Sequence, residues 1–112
     1  MTECLFCKIR DGEVPADIIF EDDECLAFCD INPKAPVHFL VIPRRHIANL
    51  WDARNADEGL LGRIQLTIPK IAKEQGLDSG FRTVLNTGPG GHQEVYHIHY
   101  HVLGGGPFTG FN

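Results

Sequence analysis

The sequence lacks both a long hydrophobic run and a cluster of positive charge. No apolar stretch approaches the roughly 20 residues that a membrane-spanning helix requires, so no membrane partner is expected. The longest basic run is the pair Arg44–Arg45, and the formal net charge of the 112 residues is −5. Because a nucleic-acid groove needs a basic stripe, nucleic acid is not expected as a partner either. The first residues, MTECLFCKIRDG, are too polar for a signal peptide, so we expect a cytoplasmic location.

A disulfide framework is also not expected, because the four cysteines stand in a chain without an evident leader. Cys4 and Cys7 form a C-x-x-C pair, which in a cytoplasmic protein is typical of half a metal site or of a redox pair. Cys25 and Cys29 lie in the strand-like run DECLAFCDI, which predicts buried, inert thiols.

Hydrophobic patterning predicts a single α+β domain over residues 1–112. Short apolar runs between turn residues predict five strands, at 18–21, 25–30, 38–43, 81–87 and 96–104. A short helix is expected over 4–11 and one main helix over 56–75, with Asp57 capping its start and Gly76 its end. The apolar positions at near-helical spacing are Leu60, Leu61, Ile64, Leu66, Ile68, Ile71 and Ala72. Pro69 should kink this helix or cost it one hydrogen bond. Hairpin connections early in the chain favour an antiparallel sheet.

Three of the six histidines lie on alternate positions of the segment HIHYH, residues 97–101. Strand residues two apart are about 6.6 Å apart along one face, so His97, His99 and His101 should point the same way. The apolar residues between them should point into the space that the helix covers. Three histidines at this period, beside a glycine-rich segment, are not expected to be merely surface residues.

The residues alone leave two chemical interpretations of this face open. A pair of histidines two apart on a strand can hold one Zn²⁺. Alternatively, a neutral histidine can act as a nucleophile and proton carrier. Seven of the 12 glycines lie between Gly88 and Gly110, and NTGPGGHQE (86–94) offers backbone N–H groups that suit phosphate oxygens. This segment favours a phosphate held against an imidazole.

YHIHYHVLGG resembles the His-φ-His-φ-His-φ-φ signature of the histidine triad (HIT) family of nucleotide hydrolases and transferases. CLFCKIRDGEVPADIIFEDDECLAFCDINPKAPVHFLVIPRRHI resembles the N-terminal half of the nucleoside phosphoramidase branch, and the likeness resumes at VLNTGPGGHQEVYHIHYHVLGGGP. The resemblance implies a HIT-like fold, with a five-stranded antiparallel sheet, one main helix and a short N-terminal helix. It also implies a homodimer in which two chains form a ten-stranded sheet.

The resemblance further implies an enzyme that cleaves the P–N bond of purine nucleoside 5′-phosphoramidates. His99 Nε2 would attack the α-phosphorus, and water would release the nucleoside monophosphate (AMP or GMP) from the nucleotidyl-histidine. His101 and the backbone of residues 91–94 would hold the phosphate oxygens. His97 belongs to the same catalytic set, and His38 would buttress it. No organic cofactor is implied.

The nucleotide site that the resemblance implies is assembled from four segments. Asp30 would accept hydrogen bonds from the ribose hydroxyls, although an aspartate in CDIN can also simply cap a turn. Asn86 would contact the phosphate or the ribose. The base slot would be apolar and formed by Leu5, Phe6, Ile9, Phe28 and Ile31. The remaining contacts would come from His92, Gln93 and Glu94.

Two of these positions depart from the family pattern. Glu94 stands where the family has a hydroxyl residue or an acid, so a proton relay would require a protonated carboxyl, and a carboxylate could instead bind an amino leaving group. His92 stands where small residues are common, so the loop is expected to have a different shape.

The same resemblance implies a role for the C-x-x-C pair in metal binding. Some bacterial-type members have such a pair and a histidine after IP, and they bind a structural zinc. The matching residues are Cys4, Cys7, His46 and His97, which would make a closed tetrahedral Zn²⁺ site. Two alternatives to the hydrolase stay open: a metal-binding protein or metal-dependent hydrolase whose ligands are the triad itself, and a nucleotide-binding interaction module with little turnover.

Overall fold

Five antiparallel strands and two helices form the fold in the computed structural model, which describes residues 4–108. The elements are, in chain order, α1 (Leu5–Arg10), β1 (Ile18–Glu21), β2 (Cys25–Cys29), β3 (Val37–Pro43), α2 (Glu58–Glu74), β4 (Arg82–Val84) and β5 (Tyr100–Gly104). Short 3₁₀ turns occupy Asn55–Asp57 and Pro89–Gly91. The predicted α+β class and element types are therefore confirmed, and the ends of the predicted domain 1–112 lie outside the described residues. No helix within the described part of the chain is long and apolar enough to cross a bilayer.

The strands are ordered β1-β2-β3-β5-β4 in the sheet. The apolar run of β3 is central, and its residues from His38 to Pro43 are buried. It pairs with β2 on one side and with β5 on the other, where Phe39 lies opposite Val102 and Leu40 opposite His101. Because β5 is held between β3 and β4, its side chains have fixed directions.

Helix α2 covers one face of the sheet. Ile64, Ile68, Ile71 and Ala72 recur at the spacing of one helical face, and they are buried against a cluster that includes Phe39, Val41, Tyr100 and Val102. Leu66 is 80 % exposed, contrary to the prediction, because it lies two residues from Ile64 and so on the opposite side of the helix. Pro69 does not break α2, and the hydrogen bond that its missing N–H cannot donate lies on an exposed face.

Helix α1 packs on the other face. Phe6 and Ile9 of α1 form a second buried cluster, which includes Leu26 and Phe28 of β2 and Leu40 and Ile42 of β3. Alternate residues of one strand therefore supply two cores, one under α2 and one under α1. The candidate site lies on the face that carries α1.

Three predicted boundaries are wrong. The strand predicted over 81–87 ends at Val84, and the other two differences have identifiable reasons. The strand predicted from residue 96 begins only at Tyr100. Pro43 ends β3 and has no N–H with which to extend the pairing. Ile98 N–H donates instead to the Ile47 carbonyl, at 2.7 Å. Asp57 precedes α2 without capping it by its side chain; its carboxylate accepts from Arg54 N–H and pairs with Arg45. Gly76 follows the helix with φ +84°, as a terminating glycine should.

Candidate active site

A cavity of about 540 Å³ opens on the face of the sheet that carries α1. It collects most of the residues that the sequence predicts for a nucleotide site, although they come from distant parts of the chain. Those that line it are Leu5, Phe6, Ile9, Phe28, Asp30, Ile31, His38, Asn86, His92, Glu94, His99 and His101. Gln93 and His97, which were also predicted, do not line the cavity.

His99 is held in one tautomer by the backbone. Its Nδ1 lies 2.8 Å from the His97 carbonyl oxygen, which can only accept, so Nδ1 carries the proton. Nε2 is therefore left with its lone pair. The ring packs edge-on against Phe6, with centroids 5.1 Å apart. Burial lowers the pKa of His99, so the imidazole is neutral near pH 7. This side chain is equipped as a nucleophile.

His101 is oriented by a chain of three groups. The backbone N–H of Lys34 donates to His38 Nδ1 at 3.0 Å, so the His38 proton is on Nε2. That Nε2–H faces His101 Nδ1, also at 3.0 Å, which makes Nδ1 an acceptor and leaves the proton of His101 on Nε2. Burial, with contributions from His99 and His38, lowers the pKa of His101 to about 4. His101 is thus a neutral hydrogen-bond donor beside His99, with ring centroids 4.9 Å apart.

Asp30 combines the two roles considered for it. One carboxylate oxygen accepts from Asn32 N–H at 2.8 Å, as in a turn cap. The other lies 3.4 Å from His38 Nε2, and the residue lines the cavity. A carboxylate with an oxygen in this position can accept from ligand hydroxyl groups.

The glycine-rich loop, residues 88–95, leaves fewer backbone N–H groups free for phosphate oxygens than the sequence predicted. Four of its backbone N–H groups, those of Gly88, Gly91, His92 and Gln93, donate within the loop. Among the described residues, Glu94 N–H donates to no protein group. His92 has a left-handed backbone, with φ +69°, a region that favours glycine.

Gln93 is a correction to the predicted nucleotide contacts. Its side chain is buried and hydrogen-bonded within the protein, to Ala48, Val95, Gly88 and Asn49, so it cannot reach a ligand in the cavity. Asn49 was missed by sequence analysis, because a lone asparagine three residues after His46 carries no local signal for a buried amide pair.

The loop begins against the chain's single tryptophan. Gly88 has φ +74°, and a Cβ at this position would lie 2.6 Å from Trp51 Cζ3. The backbone conformation therefore favours glycine, and a larger residue here would also have to displace the Trp51 ring. The Trp51 side chain is otherwise exposed.

A second cluster of reactive side chains lies behind the cavity. It consists of Cys4, Cys7, His46 and His97, and we call it the metal cluster because the four donor atoms lie within 4.8 Å of one another. His97 Nδ1 lies 3.4 Å from Cys4 Sγ, 3.6 Å from Cys7 Sγ and 3.2 Å from His46 Nδ1, and Cys7 Sγ lies 3.4 Å from His46 Nδ1.

These separations match a tetrahedral zinc site. With Zn–S bonds of about 2.3 Å and Zn–N bonds of about 2.05 Å, a tetrahedron places sulfur about 3.6 Å from nitrogen and two nitrogens about 3.3 Å apart. His97 is also oriented for this role, because its Nε2–H donates to the Pro43 carbonyl at 2.8 Å and its Nδ1 lone pair faces the thiols. The residues present therefore fit a zinc ion.

The metal cluster separates the roles of the three triad histidines. The sequence predicted His97 both in the catalytic set and as a metal ligand. It is fully buried and outside the cavity, so the catalytic role is corrected and the place in the metal cluster is kept. The other group of possible metal donors within residues 4–108 is Asp30, His38 and His101, and His99 belongs to neither. A chelate made by the whole triad is not compatible with this arrangement.

The two remaining cysteines are not reactive groups. Cys25 is buried and burial raises the pKa of its thiol to about 12. Cys29 is partly buried, and burial raises the pKa of its thiol too. Both thiols therefore stay protonated at neutral pH. The predicted burial is confirmed for Cys25 and is only partial for Cys29, which lines the cavity.

A five-stranded antiparallel sheet that presents two tautomer-locked histidines beside a glycine-rich loop and a cavity defines a histidine triad domain. The family model described as "Scavenger mRNA decapping enzyme C-term binding" matches residues 3–109. An uncharacterized HIT-like protein of Synechococcus elongatus is 55 % identical over 103 residues, which are 92 % of this chain and 90 % of the relative. The chain therefore belongs to the HIT family.

Solved structures support the same assignment. A HIT family hydrolase from Legionella pneumophila superposes with a TM-score of 0.92 at 51 % identity, covering 96 % of each chain. A histidine triad nucleotide-binding protein from Candida albicans superposes with a TM-score of 0.81 at 31 % identity, covering 98 % of this chain and 87 % of that one. The HIT fold predicted from the sequence is thereby confirmed.

Proposed function

We propose that this protein is a nucleotide hydrolase that cleaves the P–N bond of purine nucleoside 5′-phosphoramidates through a covalent intermediate on His99. The observation that carries the proposal is the hydrogen bond from His99 Nδ1–H to the His97 carbonyl, which leaves Nε2 unprotonated at the cavity. The names of the relatives from Legionella and Candida, a hydrolase and a nucleotide-binding protein, agree with this class of activity.

The reaction has two displacements at the α-phosphorus. In the first, His99 Nε2 forms a bond to phosphorus while the P–N bond breaks, and the departing amine takes up a proton from water. The ring then carries positive charge, which the His97 carbonyl stabilises through Nδ1–H. In the second, water attacks phosphorus and gives a proton to the hydroxide that the first step left, the bond to His99 breaks, and the nucleoside monophosphate leaves. Covalent catalysis replaces one difficult step with two easier ones.

The cavity supplies a partner for each part of the nucleotide. His101 Nε2–H and Glu94 N–H donate to the phosphate oxygens, whose charge increases in the transition state. Asp30 accepts from the ribose hydroxyls. The base lies in the slot of apolar side chains formed by Leu5, Phe6, Ile9, Phe28 and Ile31, all of which line the cavity. The carboxylate of Glu94, at the same cavity, favours a positively charged amino leaving group.

A zinc ion bound by the metal cluster has a structural role in this proposal. Cys4, Cys7, His46 and His97 would hold the ion as a closed set of four ligands, so it would supply cross-linking and no open site for chemistry. Cys4 and Cys7 would thereby tie α1, which carries Phe6 against His99, to the sheet. His97 would hold the ion with Nδ1, and its carbonyl accepts from His99.

The protein acts in this proposal as a cytoplasmic homodimer. Strand β4 is at the end of the sheet order and pairs only with β5 within the described residues. Phe81, next to β4, and Leu66, on the outer side of α2, are exposed apolar residues that a second copy would cover. Light scattering after size-exclusion chromatography should give a mass near twice 12.5 kDa.

The test is to trap the intermediate. Protein is mixed with adenosine 5′-phosphoramidate, quenched within milliseconds and analysed by mass spectrometry. We expect an adduct of one AMP on the wild type and none on His99→Ala, which should keep its fold and its zinc. An adduct that persists in His99→Ala would refute the proposed nucleophile. AMP binding without any adduct would favour the alternative of an interaction module with little turnover.

A further inference from the structure

The side chain of Gln93 uses its complete hydrogen-bonding capacity inside the protein. Its Oε1 accepts from Gly88 N–H at 2.9 Å and from Asn49 Nδ2–H at 3.2 Å. Its Nε2 donates to the Ala48 carbonyl at 2.8 Å and to the Val95 carbonyl at 3.0 Å. A carboxamide has two donors and two acceptor positions, so none remains for a ligand.

The orientation of this carboxamide is not ambiguous. Gly88 N–H can only donate, and the carbonyls of Ala48 and Val95 can only accept, so the oxygen and nitrogen of Gln93 cannot be exchanged. Asn49 is fixed in turn, because its Oδ1 accepts from Asp52 N–H at 3.2 Å. Gln93 and Asn49 are both buried, and a satisfied buried amide network specifies one arrangement of the backbone around it.

The four partners of Gln93 show what this network holds. Gly88 and Val95 are the two ends of the glycine-rich loop, so the carboxamide ties the ends together from inside. Ala48 and Asn49 belong to the segment that follows His46 and that also receives Ile98 N–H through the Ile47 carbonyl. The loop is therefore fixed to residues 48–49. The adjacent Ile47 carbonyl binds Ile98, the residue before His99.

Glu94 and Val95 both line the cavity, and their N–H groups have no protein partner among the described residues. The N–H groups of Gly88, Gly91, His92 and Gln93 donate within the loop, so the Glu94 N–H, next to the fixed Gln93, is free for a ligand. The position of that N–H relative to His99 depends on residues 93–95, which the Gln93 side chain closes through Val95.

We propose that Gln93, with Asn49, is a positioning residue that places the Glu94 N–H to hold an α-phosphate oxygen in the transition state. This inference rests on the proposed function of the cavity. Because the base slot and Asp30 lie elsewhere in the cavity, ground-state binding of the nucleotide should depend little on the network. A donor aimed at developing charge affects the chemical step more than it affects binding, so kcat should fall while KM changes little.

Two substitutions should lower kcat to different extents. Gln93→Met keeps a similar length and removes all four hydrogen bonds, and we expect kcat to fall on the order of 100-fold with KM within about threefold. Asn49→Ala removes one of the four, and we expect a fall of about tenfold. Asn49→Ala also keeps the test decisive where Gln93→Met fails to fold, and thermal unfolding of each variant identifies that case. A folded variant with wild-type kcat, or one in which only KM rises, would overturn the proposal.

A second measurement does not depend on turnover. In ¹H–¹⁵N spectra of the zinc-loaded protein, the Glu94 amide should shift when AMP is added to the wild type. In Gln93→Met that shift should be lost, while AMP affinity measured by calorimetry stays within about threefold. If the wild type binds AMP and gives no covalent adduct, the proposed reaction fails, and the Glu94 shift alone then decides this inference. A Glu94 shift that is unchanged in Gln93→Met would contradict it.

Discussion

Removing one thiol of the metal cluster should abolish zinc binding while the chain still folds. In Cys4→Ser a hydroxyl replaces a thiolate that is 3.4 Å from His97 Nδ1, and a serine hydroxyl is a poor ligand for zinc. We expect zinc content to fall from one ion per chain to nearly none. The closed site would become three ligands from three separate segments, around residues 7, 46 and 97.

The expected loss of stability follows from mass action. A free zinc concentration of 1,000 times Kd stabilises the folded state by about 4 kcal/mol. For a domain of this length each kcal/mol shifts Tm by roughly 4 °C, so losing zinc should lower Tm by roughly 15 °C. The chain should still fold, because Phe6 and Ile9 keep α1 packed on β2 and β3 without the metal.

The assay combines elemental analysis of the desalted protein with thermal unfolding in the presence and absence of a chelator. Cys29→Ser is the matched control, since it makes the same chemical change at a partly buried thiol outside the metal cluster. It should keep zinc and most of the Tm. Stoichiometric zinc in Cys4→Ser, or a wild type whose Tm is insensitive to the chelator, would refute the assignment of the cluster.

Three further predictions follow from single residues. Asp30→Asn should weaken AMP binding by about tenfold in calorimetry, because a charged acceptor for the ribose hydroxyls is lost; equal wild-type affinity for AMP and 2′,3′-dideoxy-AMP would contradict this. Ile64→Ala, at a buried position of α2, should cost about 2–5 kcal/mol in urea unfolding, whereas Leu66→Ala on the exposed side should cost less than about 0.5 kcal/mol. Stability should fall as the pH is lowered from 6.5 towards 4. The pKa of His101 is about 4 in the folded state, so the unfolded chain binds the proton first; urea midpoints should decrease less over this range in His101→Gln, and an equal decrease would contradict the assignment.

Local patterns in the sequence predicted most of the fold. The strands at β1 and β2 and the helix α2 carry strong apolar patterns and turn residues at their ends, and the structure has them within one or two residues of the predicted limits. The start of β5 could not be predicted from the local sequence. His97 and His99 continue the alternation of the strand, but Pro43 on a distant segment ends the ladder before it reaches them.

The division of roles within the candidate site was implied by the family resemblance and could not be derived from the residue pattern alone. Nothing in HIHYH distinguishes His97, which turns to the thiols, from His99, which faces the cavity. That difference arises from carbonyl groups at Pro43 and His97, which select the proton position on each ring. Gln93 was predicted to contact the nucleotide because it lies in the loop. Its side chain is instead buried and hydrogen-bonded to Ala48 and Asn49.

The contact between Trp51 and Gly88 gives the protein an intrinsic fluorescence reporter. The chain has one tryptophan, and its indole lies against the first residue of the glycine-rich loop while most of its surface meets solvent. Emission from this indole therefore reports on the loop without background from a second fluorophore of its kind. Stopped-flow mixing with nucleotide can use this signal to follow the loop in real time on the unlabelled, unsubstituted protein.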